Sequence, residues 1–177
     1  MYAQTHSAGI SRSGIDLFLF YRQKEKAADL IQKAEALWKD GRYTDPQKAV
    51  EYLDQLIELI PRNPRLFIKR GTAYYNMGQF QKAIENYSEA IKLSPTFPVP
   101  YYNRGNAYAN LRQFPQAIED YNQVIRLTPK FAEVYKNRGV VYLHQGNNKA
   151  GCGDLQQACS MGDCQLLNAA KGQKLCP

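Results

Sequence analysis

Between Pro64 and Phe131 one pattern is written twice, with a step of 34 residues from Pro64 to Pro98. The first copy carries Arg70-Gly71, Ala73-Tyr74, Phe80, Ala83-Ile84-Glu85, Tyr87, Ile91, Leu93 and Pro95. The second carries Arg104-Gly105, Ala107-Tyr108, Phe114, Ala117-Ile118-Glu119, Tyr121, Ile125, Leu127 and Pro129. A repeat of this length sets the architecture before any single element is assigned. In the first copy the apolar and small positions fall three and four residues apart, over Phe67, Gly71 and Tyr74 and again over Ala83, Tyr87 and Ala90-Ile91. That spacing predicts two amphipathic helices per copy, A and B, each with an apolar stripe that needs a partner. Gly71 and Ala83 are expected where two helix backbones cross, with Tyr74 and Tyr87 filling the space beside the crossing. Gly78-Gln79 marks a turn, Pro115 suits the first turn of a B helix, and Pro95 and Pro129 stop the B helices. One pair cannot bury its own stripe, so neighbouring pairs must stack into a solenoid.

The rhythm continues on both sides. From Ala27 to Asn63, Leu30, Ala34 and Leu37 stand where Phe67, Gly71 and Tyr74 stand later, and Gly41 matches Gly78. Three extra residues before Ala49 are expected in the turn at Thr44-Asp45-Pro46, with Asp45 capping the next helix and Pro46 in its first position. From Ala132, Tyr135, Arg138-Gly139 and Tyr142 keep the A register, and Gly146-Asn147-Asn148 makes the turn. The following B helix departs from the pattern, with Gly151 for alanine and Leu155 for the aromatic residue. No strand is predicted.

The Gly–Tyr and Ala–Tyr order with its closing proline resembles the tetratricopeptide repeat (TPR), most closely over 64–131. The resemblance implies an all-α, right-handed superhelical solenoid of antiparallel helix pairs. It comprises about four units, the last degenerate, with covering helices at both ends. The expected organisation is a flexible leader 1–12, an N-terminal helix 13–26, and TPR units at 27–63, 64–97, 98–131 and 132–163. A C-terminal covering helix and tail at 164–177 complete it. The apolar stretch Ile15–Tyr21 is expected to cover the open end, or to serve as a self-association helix.

Little in the chain suggests chemistry. His6 lies in the leader, His144 at the end of an A helix, and no nucleophile elbow or phosphate-binding loop is present. No enzyme activity and no cofactor are expected. The lone Trp38, placed in the first A helix, reads as a packing or groove-lining residue. Cys152, Cys159, Cys164 and Cys176 cluster at the C-terminal end without a CxxC pair, which argues against zinc or a redox dithiol. Two readings remain open for them, disulfides or buried thiols. Two helical turns, about 10 Å, separate Cys152 from Cys159, so these two cannot bridge within an intact helix. The compartment follows the same alternative: cytoplasmic if Met1 is the native start, periplasmic or secreted if the cysteines are bridged. The net charge of +7 is scattered along the chain, which reads as a solvated surface and makes nucleic acid an unfavoured partner. No apolar run approaches the roughly 18 residues needed to span a bilayer.

The family resemblance implies that the A helices line a concave groove. Its candidate residues are Lys69 and Tyr75 from the second unit, Tyr102, Asn103, Asn106 and Asn110 from the third, and Lys136 and Asn137 from the fourth. Tyr102, Asn106 and Asn110 recur every four residues and so share one ridge. Asparagine amides suit a peptide backbone, tyrosines supply contact area, and the flanking lysines suggest a ligand with acidic character centred on the third A helix. The expected function is therefore a non-catalytic scaffold or adaptor holding a peptide, loop or helix of another protein. Structural self-assembly through residues 15–21 is the alternative, and nucleic-acid binding a weaker one. The set by which some TPR modules grip chaperone C-termini is missing, because its positions hold Ile68, Thr72, Asn103, Glu133 and Asn137.

Overall fold

The computed structural model describes residues 12–177; residues 1–11 of the leader expected at 1–12 lie outside it, and Arg12 belongs to the first helix. Its helices are α1 (Arg12–Ala36), α2 (Pro46–Leu59), α3 (Pro64–Asn76), α4 (Phe80–Leu93) and α5 (Pro98–Asn110), followed by α6 (Phe114–Leu127), α7 (Ala132–His144), α8 (Asn148–Ser160) and α9 (Gln165–Gly172). Consecutive helices pack as antiparallel pairs, α1 with α2 through α7 with α8. Each B helix also packs against the following A helix. Among the A helices, α3 touches α5 and α5 touches α7, which places them along the inner, concave side. The architecture is an all-α solenoid of antiparallel helix pairs, as the resemblance implied.

Caps and prolines define the helix starts. Asp45 Oδ1 accepts the Lys48 amide at 3.0 Å, with Pro46 first in α2, and Asn63 Oδ1 accepts the Arg65 amide at 3.0 Å ahead of Pro64. The B helices α4 and α6 end at Leu93 and Leu127, two residues before Pro95 and Pro129. Gly78 and Gly146 adopt φ of +72° and +76° in their turns, and Arg112 takes the same left-handed conformation at φ +56° in the third.

Packing within the pairs follows the small residues. A Cβ on Gly71 would lie 2.7 Å from the Tyr87 ring, and one on Gly105 would lie 2.8 Å from the Tyr121 ring. The glycine therefore admits an aromatic side chain, where the repeat pattern suggested a close approach of two backbones. In the last pair the backbones do come close: a Cβ on Gly151 would sit 2.9 Å from the Gly139 carbonyl oxygen and 2.7 Å from Leu143. This explains glycine in place of alanine there.

A ladder of arginines, to which the sequence reading assigned no role, joins the pairs. Arg104 on α5 donates to both carboxylate oxygens of Asp120 on its own B helix, at 2.7 and 2.8 Å, and to Ser88 Oγ on the preceding one at 2.9 Å. Arg138 repeats this with Asp154 at 2.7 Å and with Asn122, and Arg70 with Asn86 at 2.7 Å and Asp54 at 2.5 Å. Tyr101 and Tyr108 flank Arg104, and Tyr135 and Tyr142 flank Arg138, so each guanidinium is stacked as well as hydrogen-bonded. Recurrence of Arg every 34 residues was the available signal.

Two expectations need correction at the N-terminal end. The helix placed at 13–26 is not separate, because α1 runs unbroken from Arg12 to Ala36. Lys24-Glu25-Lys26-Ala27-Ala28 contains only good helix formers, so nothing interrupts it. Leu17 and Leu19–Lys26 are exposed, and continuous burial begins only with Ala27 and Leu30. The side chains of Ile15, Asp16 and Phe18 lie outside the described residues.

The second correction concerns Trp38, which leaves the helix. Trp38–Lys39 (β1) and Arg42–Tyr43 (β2) form a minimal antiparallel hairpin with Trp38 opposite Tyr43. Its two turn residues, Asp40 and Gly41, adopt φ of +49° and +80°. Both left-handed values suit a two-residue hairpin loop, for which Asp-Gly is a preferred dipeptide. The insertion is therefore accommodated in a hairpin upstream of Thr44-Asp45-Pro46.

At the other end, α9 places Leu167 and Ala170 against Cys152 and Leu155 of α8. Disulfides join Cys152 to Cys176 and Cys159 to Cys164, tying the tail and the start of α9 to α8.

Candidate functional site

The concave surface contains a cleft of about 700 Å³ bounded by the hairpin, α3 and α5. Ile68, Tyr75 and Val99 supply its apolar surface, and Asn76 and Asn103 its amides. Trp38 and Tyr43 form the wall at the end of the first pair, their rings edge to face at 4.9 Å. Tyr43 is buried, and its amide donates to Asn76 Oδ1 at 2.9 Å, which fixes the hairpin on α3. Burial pushes the Tyr43 phenol up to about 12, with a smaller contribution from the Glu35 charge. The charged side chains lining the cleft, Glu35 and Lys69, pair with each other at 3.1 Å.

The candidate groove residues divide between three hollows and the surface outside them. Lys69, Tyr75, Asn103 and Asn106 line the large cleft. Tyr75, Asn106, Asn110 and Asn137 meet in a smaller hollow of about 330 Å³, with His144 at its edge. Tyr102 lines a third, apolar hollow of about 610 Å³ with Val99 and Phe131. Lys136 lies outside all three, donating to Glu133 at 2.6 Å and Asp163 at 2.9 Å. The positively charged flank expected from the sequence is thus compensated. Lys69 and Lys136 both face carboxylates of their own chain.

Much of the asparagine ridge is also engaged internally. Asn106 Oδ1 accepts from the Tyr121 hydroxyl at 2.7 Å and from Asn137 Nδ2 at 3.0 Å. Asn137 Nδ2 also donates to the Tyr102 hydroxyl at 3.0 Å, and Asn110 Nδ2 donates to the Tyr75 hydroxyl at 2.9 Å. Tyr102 packs against the core with its ring 5.1 Å from Phe131, and burial raises its phenol pKa. It lies at the seam between the third and fourth pairs while also lining the apolar hollow. The roomiest of these three hollows accordingly lies between the first and third A helices, displaced from the third alone.

Trp38 and Tyr43 were not grouped as a wall from the sequence. The signal was Asp40-Gly41 between two aromatic-containing dipeptides, a hairpin signature.

Comparison with known proteins agrees with the fold. Residues 71–111 match a family model described as TPR repeat, and residues 98–131 match one described as tetratricopeptide repeat. Residues 71–131 thus carry tetratricopeptide repeats, and the helix pairs on either side continue the same packing. Among solved structures, a crystal structure of MamA superposes with a TM-score of 0.73 at 19% identity, covering 94% of this chain and 99% of that one. MamA 41-end from Desulfovibrio magneticus RS-1 gives 0.72 at 21% identity, covering 83% and 86%. The first TPR of Spaghetti (RPAP3), bound to an HSP90 peptide SRMEEVD, gives 0.63 at 24% identity over 69% of this chain and 94% of that one. At these identities the likeness is one of fold. No curated protein sequence matches.

Proposed function

We propose that this TPR scaffold is a non-catalytic adaptor that holds a short segment of another protein in the cleft between the hairpin, α3 and α5. The observation that carries the reading is the cleft itself, with a volume in the range of preformed ligand sites and apolar walls interrupted by a few amides. A peptide bound to the structurally similar RPAP3 domain supports such use of the fold. The chaperone-tail set does not carry over, since Ile68, Thr72 and Glu133 stand at its positions. The compensated lysines favour a segment without a strong acidic requirement. Affinity capture with wild type and with Asn103→Ala tests the reading. A partner retained by wild type and reduced at least tenfold on the variant is expected, and equal recovery on both would place binding outside the cleft.

A second reading rests on the leading turns of α1, where Leu17 (56%), Phe20 (60%) and Tyr21 (57%) stand exposed. Such an apolar patch suits self-association. Light scattering of the full chain and of a chain lacking residues 1–26 separates the two readings. A monomer in both cases removes self-assembly.

A further inference from the structure

The turn between α1 and α2 is longer than those that follow, and its extra residues build one wall of the cleft. Trp38 remains 45% exposed, although its cross-strand partner Tyr43 is only 5% exposed. Strand pairing, the 4.9 Å ring contact and the bond from the Tyr43 amide to Asn76 hold the wall in one position. Across the cleft, Val99 of α5 is 40% exposed, and Ile68 and Tyr75 of α3 face the same space. Glu35 and Lys69, the charged side chains in the lining, satisfy each other. A charged ligand group entering here would lose water without meeting a free countercharge, whereas a large apolar side chain would bury surface on Trp38 and Val99 together.

We propose that the inserted hairpin makes a specificity pocket. It takes an uncharged segment of a partner protein whose large apolar, preferably aromatic, side chain packs against Trp38. The proposal rests on the groove-binding reading and adds the chemistry of the ligand. The repeat pattern alone does not supply this wall, because the later turns lack the hairpin.

The test selects 12-residue peptides from a random displayed library on the full chain, then titrates the synthesised winners. Trp38 is the sole tryptophan, so its emission reports occupancy, while calorimetry gives affinity for variants that lack it. Winners are expected to share an uncharged core with an aromatic or large aliphatic residue and to shift Trp38 emission. They should bind Trp38→Ala at least tenfold more weakly and Trp38→Phe within threefold of wild type. Val99→Glu approaches the pocket from the opposite wall and should weaken them equally, with thermal melts confirming that all variants remain folded.

A charged consensus, no enrichment, or undiminished binding to Trp38→Ala and Val99→Glu would overturn the pocket. If those two variants bind normally but Asn103→Ala does not, the pocket fails while groove binding stands. If all three bind normally, both readings fail. Tenfold stronger binding after removal of residues 1–11 would show the chain's own start in the cleft and overturn the assignment to a partner.

Discussion

Gly71 and Gly153 show how the same residue type carries opposite consequences. A methyl group on Gly71 would press into the Tyr87 ring, whose hydroxyl contacts Thr72 Oγ1 at 3.3 Å and whose side chain is almost fully buried. Gly71→Ala should therefore destabilise by about 1–3 kcal/mol through overpacking. Gly153, exposed inside α8 with open space around it, should gain about 0.5–1 kcal/mol as alanine, because glycine is entropically unfavourable within a helix. Urea denaturation of both variants checks the opposite signs. At Arg104 the decisive quantity is what truncation would leave behind. Asp120 is 3% exposed, and burial raises its pKa despite the opposing Arg104 hydrogen bonds and charge. Arg104→Met should cost about 3–5 kcal/mol by stranding that carboxylate, whereas Arg104→Met/Asp120→Leu should recover most of the loss. A double variant no more stable than the single one would show that packing against Tyr101 and Tyr108 dominates.

Individual elements depart from the repeat mainly at the two ends. Here α9 is a short helix packed mainly against α8, and the disulfides compensate for its small buried surface. The Cys152–Cys176 bond closes a loop with a sequence separation of 24, for which chain-entropy estimates give a stabilisation of about 2–4 kcal/mol. Reduction with a thiol reductant should accelerate amide exchange in α9 and the C-terminal part of α8, while α3 to α6 keep their protection. Uniform acceleration through all helices would show that the end pair is not an independently opening unit. The bridges were one of two readings open from spacing, since proximity between Cys176 and α8 depends on how the tail folds back. The hairpin was legible only in part. Asp40-Gly41 announced it, but alignment to the repeat drew Leu37 and Trp38 into the helix.

As a whole the molecule is stitched by aromatic residues that also tie its stability to pH. Burial raises the phenol pKa values of Tyr43, to about 12, and of Tyr87, Tyr102 and Tyr121. Below about pH 10 these groups are neutral in both the folded and the unfolded chain. Above it the unfolded phenols ionise while the buried ones keep their protons, so unfolding releases protons and stability falls as pH rises. The urea midpoint should be lower at pH 11 than at pH 9, with the loss for Tyr43 developing between about 10 and about 12. An unchanged midpoint would mean that these rings become solvated without unfolding.

The period of 34 residues, the proline and asparagine or aspartate starts and the glycine–tyrosine crossings were determined by the sequence alone. Each is a local or repeated rule, so a residue's neighbours follow from its position in the pattern. The hydrogen-bonded state of the groove side chains follows no such rule. Lys69, Asn106, Asn110 and Asn137 line the cleft or the smaller hollow beside it, yet Glu35, Tyr75 and Tyr102, which pair with them, come from other units. Only the stacking of the first pair on the second brings Glu35 to Lys69 and the Trp38 wall to the cleft. Distances between units depend on how helix pairs turn relative to one another, and side-chain periodicity does not encode that angle residue by residue.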